Sequence, residues 1–265
     1  MSPVDFKCNL SIKHISTASA IFEIDGVNLL TDPFFSPAGT EWDAGVTVLK
    51  NSDTPALGLQ DLPPIDAVLL SHEDHPDNLD ELGRRLLDGR KVITTTDGAR
   101  KLHPRPGVRG IRPWETVPLE AGGKRFQMTG TPCQHLPGGK CTGFIITAPE
   151  FGSTDGLPNV IYFSGDTVYF EELVEMRDKF HVVVAVLNLG AAKVPLPGGQ
   201  LQITMDGKQA ARLFREIRAD ILVPMHYESW GHFTQNGEEL AKAFEEEGIQ
   251  DKVCWLTPGV SKKVL

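Results

Sequence analysis

The sequence predicts an α+β fold of four layers, two β-sheets packed face to face with helices on their outer sides. Two observations carry this expectation. Short β-rich runs separated by turn residues recur along the whole chain, and segments with helical apolar spacing occur in both halves rather than in one. At 265 residues with a hydrophobic share of 40 %, the chain can bury a core of that size, and it reads as one domain over residues 1–265.

The elements follow in order. Ile21-Phe22-Glu23-Ile24, Asp25-Gly26 and Val27-Asn28-Leu29-Leu30 form a hairpin signature, because Asp-Gly suits the positive φ angles of a tight type I′ turn. The second strand ends at Thr31-Asp32-Pro33, where proline cannot donate to a ladder. Residues 36–64 are rich in Pro, Gly and Asp and read as a long loop near a site. The apolar run Ile65 to Leu70 predicts a buried strand, and Leu79, Leu82, Leu86 and Leu87 predict a helix opening at Asn78. Further strands are expected at Lys91–Thr95, Gly107–Ile111, Lys124–Gly130, Gly143–Thr147, Asn159–Ser164, Val182–Asn188 and Ile221–Pro224. Helices are expected near Tyr169–Arg177, Met205–Arg218 and Glu238–Glu247.

Composition excludes several partners. The net charge of −9 comes without a concentrated basic surface, which argues against nucleic acid. No apolar run approaches the roughly 18 residues of a membrane span, and Met1 to Lys7 carries no leader pattern, so a cytoplasmic location is expected. Cys8, Cys133, Cys141 and Cys254 are widely spaced and form no Cys-x-x-Cys pair, which disfavours disulfides and a cysteine zinc knuckle.

The chemistry concentrates in Ser71-His72-Glu73-Asp74-His75-Pro76-Asp77-Asn78, directly after the buried strand. Further candidates are His135 in Thr131-Pro132-Cys133-Gln134-His135, Asp166 in Ser164-Gly165-Asp166-Thr167 and His226 in Pro224-Met225-His226-Tyr227. Most of these positions fall at or just past a predicted strand end, where loops gather at one sheet edge, and their N and O donors suit Zn, Fe or Mn. His14, His103 and His181 read as ordinary surface or core residues. His232 is open between lining a pocket and a structural role.

These residues resemble the metallo-β-lactamase superfamily, whose hallmark is His-x-His-x-Asp-His after a strand, then a distant His, a bridging Asp and a last His. The resemblance spans roughly residues 12–235, includes the early Asp-Pro turn at Asp32-Pro33, and implies the four-layer αββα sandwich. Thr131 to His135 is similar to a segment of the lactonase and phospholipase-like branch. The first motif departs from the pattern. Read rightward from His72, the pattern's Asp falls on Pro76, which has no ligand atom; read leftward from Asp77, the last histidine becomes Asn78. A one-residue insertion satisfies both ends. It makes His72, His75 and His135 ligands of one metal and Asp77 and His226 ligands of another, with Asp166 bridging. Asp74 is the competing ligand, and Asp32 is expected to orient an imidazole.

The resemblance implies a small-molecule hydrolase with one or two divalent ions, most simply Zn, that opens a lactone, lactam or related ester or amide. The expected nucleophile is metal-generated hydroxide, with Asp77 carrying the proton and Tyr227 either donating to the oxyanion or packing beside the strand end. No Gly-x-Ser-x-Gly elbow is present to suggest serine catalysis. The alternatives are phospholipase-like phosphodiester hydrolysis and a non-catalytic binding member of the fold. The sequence leaves the oligomeric state open.

Overall fold

The computed structural model describes residues 6–43, 48–138 and 140–265. The N-terminal Met1–Asp5 and residues 44–47 of the long loop lie outside the described residues. One sheet orders its strands Ser261–Lys263, Leu10–Ser16, Ser19–Ile24, Val27–Thr31, Ala67–Leu69, Lys91–Thr95 and Val108–Ile111. The other runs Ile221–Met225, His181–Asn188, Leu157–Phe163, Gly143–Thr147, Lys124–Thr131 and Thr116–Ala121. The Asp25-Gly26 turn takes φ values of 46° and 85°, the left-handed pair that lets the first hairpin close in register, with Ile24 opposite Val27.

Three apolar clusters define four layers. Between the sheets, Leu10, Ile12, Phe22 and Leu29 face Phe126, Phe144, Phe163 and Val184, all buried. Phe22 and Phe163 meet edge to face across this interface, with ring centroids 6.0 Å apart and planes at 86°. On the outer face of the first sheet, Ile21, Leu30 and Val68 pack against Leu79, Leu86 and Leu102, in and beside the short helices Glu81–Leu86 and Thr96–Lys101. On the outer face of the second, Tyr162, Ala185 and Leu222 pack against Ala210, Leu213 and Phe214 of helix Gly207–Glu216 and Leu240 and Phe244 of helix Gly237–Glu246. These residues recur at three- and four-residue intervals, so one stripe of each helix is apolar. Asp206 caps the first of these two helices, and the Asn236/Glu239 capping box starts the second.

The chain differs from expectation at several places. The first helix starts after Asp80, whose carboxylate accepts from Gly83 N at 2.7 Å, rather than at Asn78. Residues 171–178 form a 3₁₀ helix, and the long loop contains a two-stranded ribbon, Glu41–Asp43 with Val48–Lys50. The strands Leu10–Ser16, Thr116–Ala121 and Ser261–Lys263, the hairpin Lys193–Leu196/Gly199–Gln202 and the helix Thr96–Lys101 were not anticipated. No described helix is long and apolar enough to cross a membrane.

Strand direction positions the site. Val27–Thr31, Ala67–Leu69 and Lys91–Thr95 are parallel, as are Leu157–Phe163, His181–Asn188 and Ile221–Met225. Lys124–Thr131 and Leu157–Phe163 are both antiparallel to Gly143–Thr147, so they run the same way. The C-terminal ends of the strands that precede Asp32, His72, His135, Asp166 and His226 therefore open on one edge of the sandwich.

Candidate metal centre

Three imidazoles converge first. His72 Nε2 lies 3.1 Å from His75 Nδ1, and His135 Nε2 lies 3.2 Å from the same atom. The outer nitrogens of two of these rings are tied elsewhere. His72 Nδ1 contacts Ser71 Oγ at 2.8 Å, which donates to Asp32 Oδ2 at 2.8 Å; His135 Nδ1 donates to the Ile203 carbonyl at 2.8 Å. These partners place the proton of each ring on the outside and leave both Nε2 lone pairs pointing inward. One proton on His75 Nδ1 cannot satisfy two such acceptors. A cation satisfies all three, and two donors about 2.1 Å from a tetrahedral ion are separated by about 3.4 Å, close to the spacing here. Burial pushes His72 and His135 below the usual histidine range, which keeps them neutral and able to ligate.

Asp166 links this cluster to a second one. Its Oδ1 accepts from Asn188 Nδ2 at 2.7 Å, while Oδ2 sits 3.9 Å from His72 Nε2 and 3.2 Å from His226 Nε2. One oxygen is thus held back by the amide and the other faces both groups of imidazoles, the arrangement of a bridging carboxylate. Burial would raise the Asp166 carboxyl, but His226, His72 and His135 outweigh it and hold it well below the carboxylate range. The reciprocal effect lifts His226 to about 9 against its burial. Asp77 Oδ2 lies 3.6 Å from His226 Nε2 and 3.6 Å from His232 Nε2.

Local backbone explains how these side chains arrive. Gly165 has φ +57°, and a Cβ there would meet the Thr142 carbonyl at 2.6 Å, so only glycine makes the turn that delivers Asp166. His226 itself adopts φ +58°, a costly conformation for a residue with a Cβ, held by the strand that precedes it. Asp32 is fully buried and accepts from Ser71 N at 2.6 Å and Asn78 Nδ2 at 3.2 Å. Its burial, despite these donors, pushes its carboxyl up to about 7.

The irregular first motif has a physical account. Glu73 turns away from the imidazoles toward the outer helices, while Asp74 stands at the cavity lining within reach of Lys101. Glu73 pairs with Lys101 at 2.7 Å and with Arg84 at 3.5 Å, and Asp74 lies 3.8 Å from Lys101. The chain bulges between His72 and His75, and both rings return to one point. Asn78 directs its amide at Asp32.

The structure corrects one assignment. Tyr227 packs against Trp255, with ring centroids 6.0 Å apart, and against helix Gly237–Glu246. It does not line the cavity that holds the histidines, and burial raises its phenol to about 12, so the oxyanion role is withdrawn. Ser71 and Asn188, which hold His72 and Asp166, were missed. Each had a signal: Ser71 abuts the motif, and Asn188 ends a buried strand like the ligands themselves. His14 and His181 take ordinary partners, the Thr17 carbonyl and Asp220.

A family profile, described as a beta-lactamase superfamily domain, matches residues 27–227. The chain belongs to the metallo-β-lactamase superfamily of hydrolases. Its similar relatives include a UPF0173 metal-dependent hydrolase of Pyrobaculum aerophilum, 26 % identical over 96 % of this chain and 100 % of the relative. Another, from Methanoculleus marisnigri, is 29 % identical over 87 % of this chain and 92 % of its own length. Among solved structures, an isothiocyanate hydrolase from Delia radicum gut bacteria superposes with a TM-score of 0.77 at 23 % identity, covering 95 % of this chain and 98 % of that one. Igni18, a metallo hydrolase from Ignicoccus hospitalis, gives a TM-score of 0.72 at 22 % identity, covering 97 % and 99 %. These superfamily structures share the αββα sandwich.

Proposed function

We propose that this chain is a metal-dependent hydrolase that opens a small uncharged cyclic ester or amide, a lactone or lactam. The observation that carries the substrate class is the cavity of about 440 Å³ over the histidine–carboxylate cluster. Trp42, Leu49, Leu136, Val194 and Ile203 supply apolar walls, and no lysine or arginine is among the described residues lining it. A phosphodiester is a full anion that the ions alone would have to neutralise here, with no Arg or Lys donor among the described lining residues and apolar walls around it. A neutral acyl substrate suits these walls, so the phospholipase-like alternative is the weaker reading.

His72, His75, His135 and Asp166 would hold one ion, and Asp77 and His226 would contribute to a second beside it. When bound, a divalent ion supplies Lewis acidity at a carbonyl oxygen and acidifies water toward neutrality. Zn suits this N and O donor set, and Fe and Mn accept it as well. The chain's own groups do the rest. Ser71 and the Ile203 carbonyl fix the tautomers of His72 and His135, Asn188 fixes the rotation of Asp166, and the apolar walls orient the ring and exclude bulk water. Asp77 borders the cavity and moves the proton from the attacking water toward the leaving group.

Elemental analysis after dialysis, followed by a panel of lactones, lactams, thioesters, an aryl isothiocyanate and phosphodiesters, tests this reading. Bound metal and chelator-sensitive opening of a lactone or lactam is the expected result. Turnover of phosphodiesters alone would replace the substrate class, bound metal without any turnover would favour the binding-protein alternative, and full activity in a metal-free protein would overturn the mechanism.

A further inference from the structure

The first motif places asparagine where the superfamily pattern has its final imidazole, yet the cavity still holds two imidazoles at the second cluster. The geometry points to His232 as the replacement: we propose that His232 takes the place left by Asn78, so that the second ion is held by Asp77, Asp166, His226 and His232. The inference rests on the metal reading above.

Three observations carry it. His232 Nε2 faces Asp77 Oδ2 at 3.6 Å, and His226 Nε2 faces the same oxygen at the same distance. That spacing is too long for a hydrogen bond and matches the roughly 3.4 Å between two donors on a common tetrahedral ion. The His232 side chain is only 9 % exposed and borders the cavity, and its Nδ1 has no partner among the described residues. What points to an ion is the Nε2 of this nearly buried ring, which faces a carboxylate beyond hydrogen-bonding reach.

The segment is anchored as a ligand loop must be. Trp230 is buried and packs on Phe34 with centroids 5.6 Å apart, and Asn51 and Trp230 form a β-bridge. Lys193 N donates to the His232 carbonyl at 3.2 Å, and the Phe233 ring lies 4.9 Å from that of His226. Asn78, by contrast, is fully buried, does not line the cavity and commits its Nδ2 to Asp32 at 3.2 Å. The imidazole has thus moved from the first motif to a loop more than 150 residues later in the chain.

The test is metal binding rather than turnover. Calorimetric titration of the metal-free protein with Zn²⁺, repeated with Co²⁺, should resolve two ions in the native chain. His232→Ala should weaken one of them by at least about 100-fold, since loss of an outer-sphere partner alone reaches 10- to 100-fold, and should leave the other unchanged. His232→Cys gives a readout that requires direct ligation in a folded protein: Co²⁺ loading should add a thiolate-to-cobalt absorption that the native protein lacks.

The outcomes separate the two ideas. Two ions with unchanged affinities in His232→Ala, no new absorption in His232→Cys, or loss of the second ion in Asn78→Ala instead, would each overturn the assignment while leaving a metalloprotein. A native chain that binds only one ion would overturn it too. No binding at all would overturn the metal reading itself.

Discussion

At the scale of single residues, the decisive event is the extra residue between His72 and His75. Glu73 is turned outward by Lys101, Asp74 is held near the same lysine at the cavity lining, and His75 Nδ1 sits within 3.2 Å of two neighbouring imidazole nitrogens. His75→Ala should therefore cut metal retention and rate by about 10- to 100-fold or more. Asp74→Asn should change either by little, because the Asp74–Lys101 pair is half-exposed and long, and such pairs contribute about 0–1 kcal/mol. Metal content and initial rates of the two variants discriminate the readings; full metal in His75→Ala with loss in Asp74→Asn would reverse the ligand assignment.

At the scale of elements, the site is a product of how strands end. Val27–Thr31, Ala67–Leu69, Leu157–Phe163 and Ile221–Met225 each run out of ladder at the same edge, and a tight turn then aims one polar side chain inward. The Gly165 turn has the least tolerance. Gly165→Ala forces a left-handed alanine, at a cost of about 1–2 kcal/mol, and sets its methyl 2.6 Å from the Thr142 carbonyl and 3.0 Å from Ser71 Cβ. Relief of that clash must move either Asp166 or Ser71. Urea unfolding should show a loss of at least about 1–2 kcal/mol, and bound metal should fall with it; a variant of native stability and full metal content would show that the turn is adaptable.

At the scale of the whole molecule, the centre joins two halves that share one core. The proposed ligands from the first sheet, His72, His75 and Asp77, face His135, Asp166 and His226 from the second, so an ion bound there would tie the sheets together at their open edge. Binding only the folded state at a free metal concentration about 100 times the dissociation constant adds about 2.7 kcal/mol. For a chain of this size, removing the ion should lower Tm by about 5–10 °C. Thermal unfolding with and without chelator measures it, and an unchanged Tm after verified metal removal would count against an ion bridging the two sheets.

The sequence by itself determined the four layers, the Asp25-Gly26 hairpin, most strands and the identity of the clustered histidines and aspartates. These are written in local pattern: alternation, helical spacing, turn chemistry and polar residues at the ends of apolar runs. Against the superfamily pattern it also pointed to a one-residue insertion in the first motif, because Pro76 has no ligand atom. What it could not determine lies in contacts between distant segments. Tyr227 sits beside His226 in sequence, yet its ring goes to the helical layer, since the left-handed His226 turns the chain just past the strand end. The meeting of Asp77 with His232, the hold of Asn188 on Asp166 and the relay from Asp32 through Ser71 to His72 depend on which strand edges are brought together. Tertiary packing alone decided them, since no local preference of either partner encodes a separation in space.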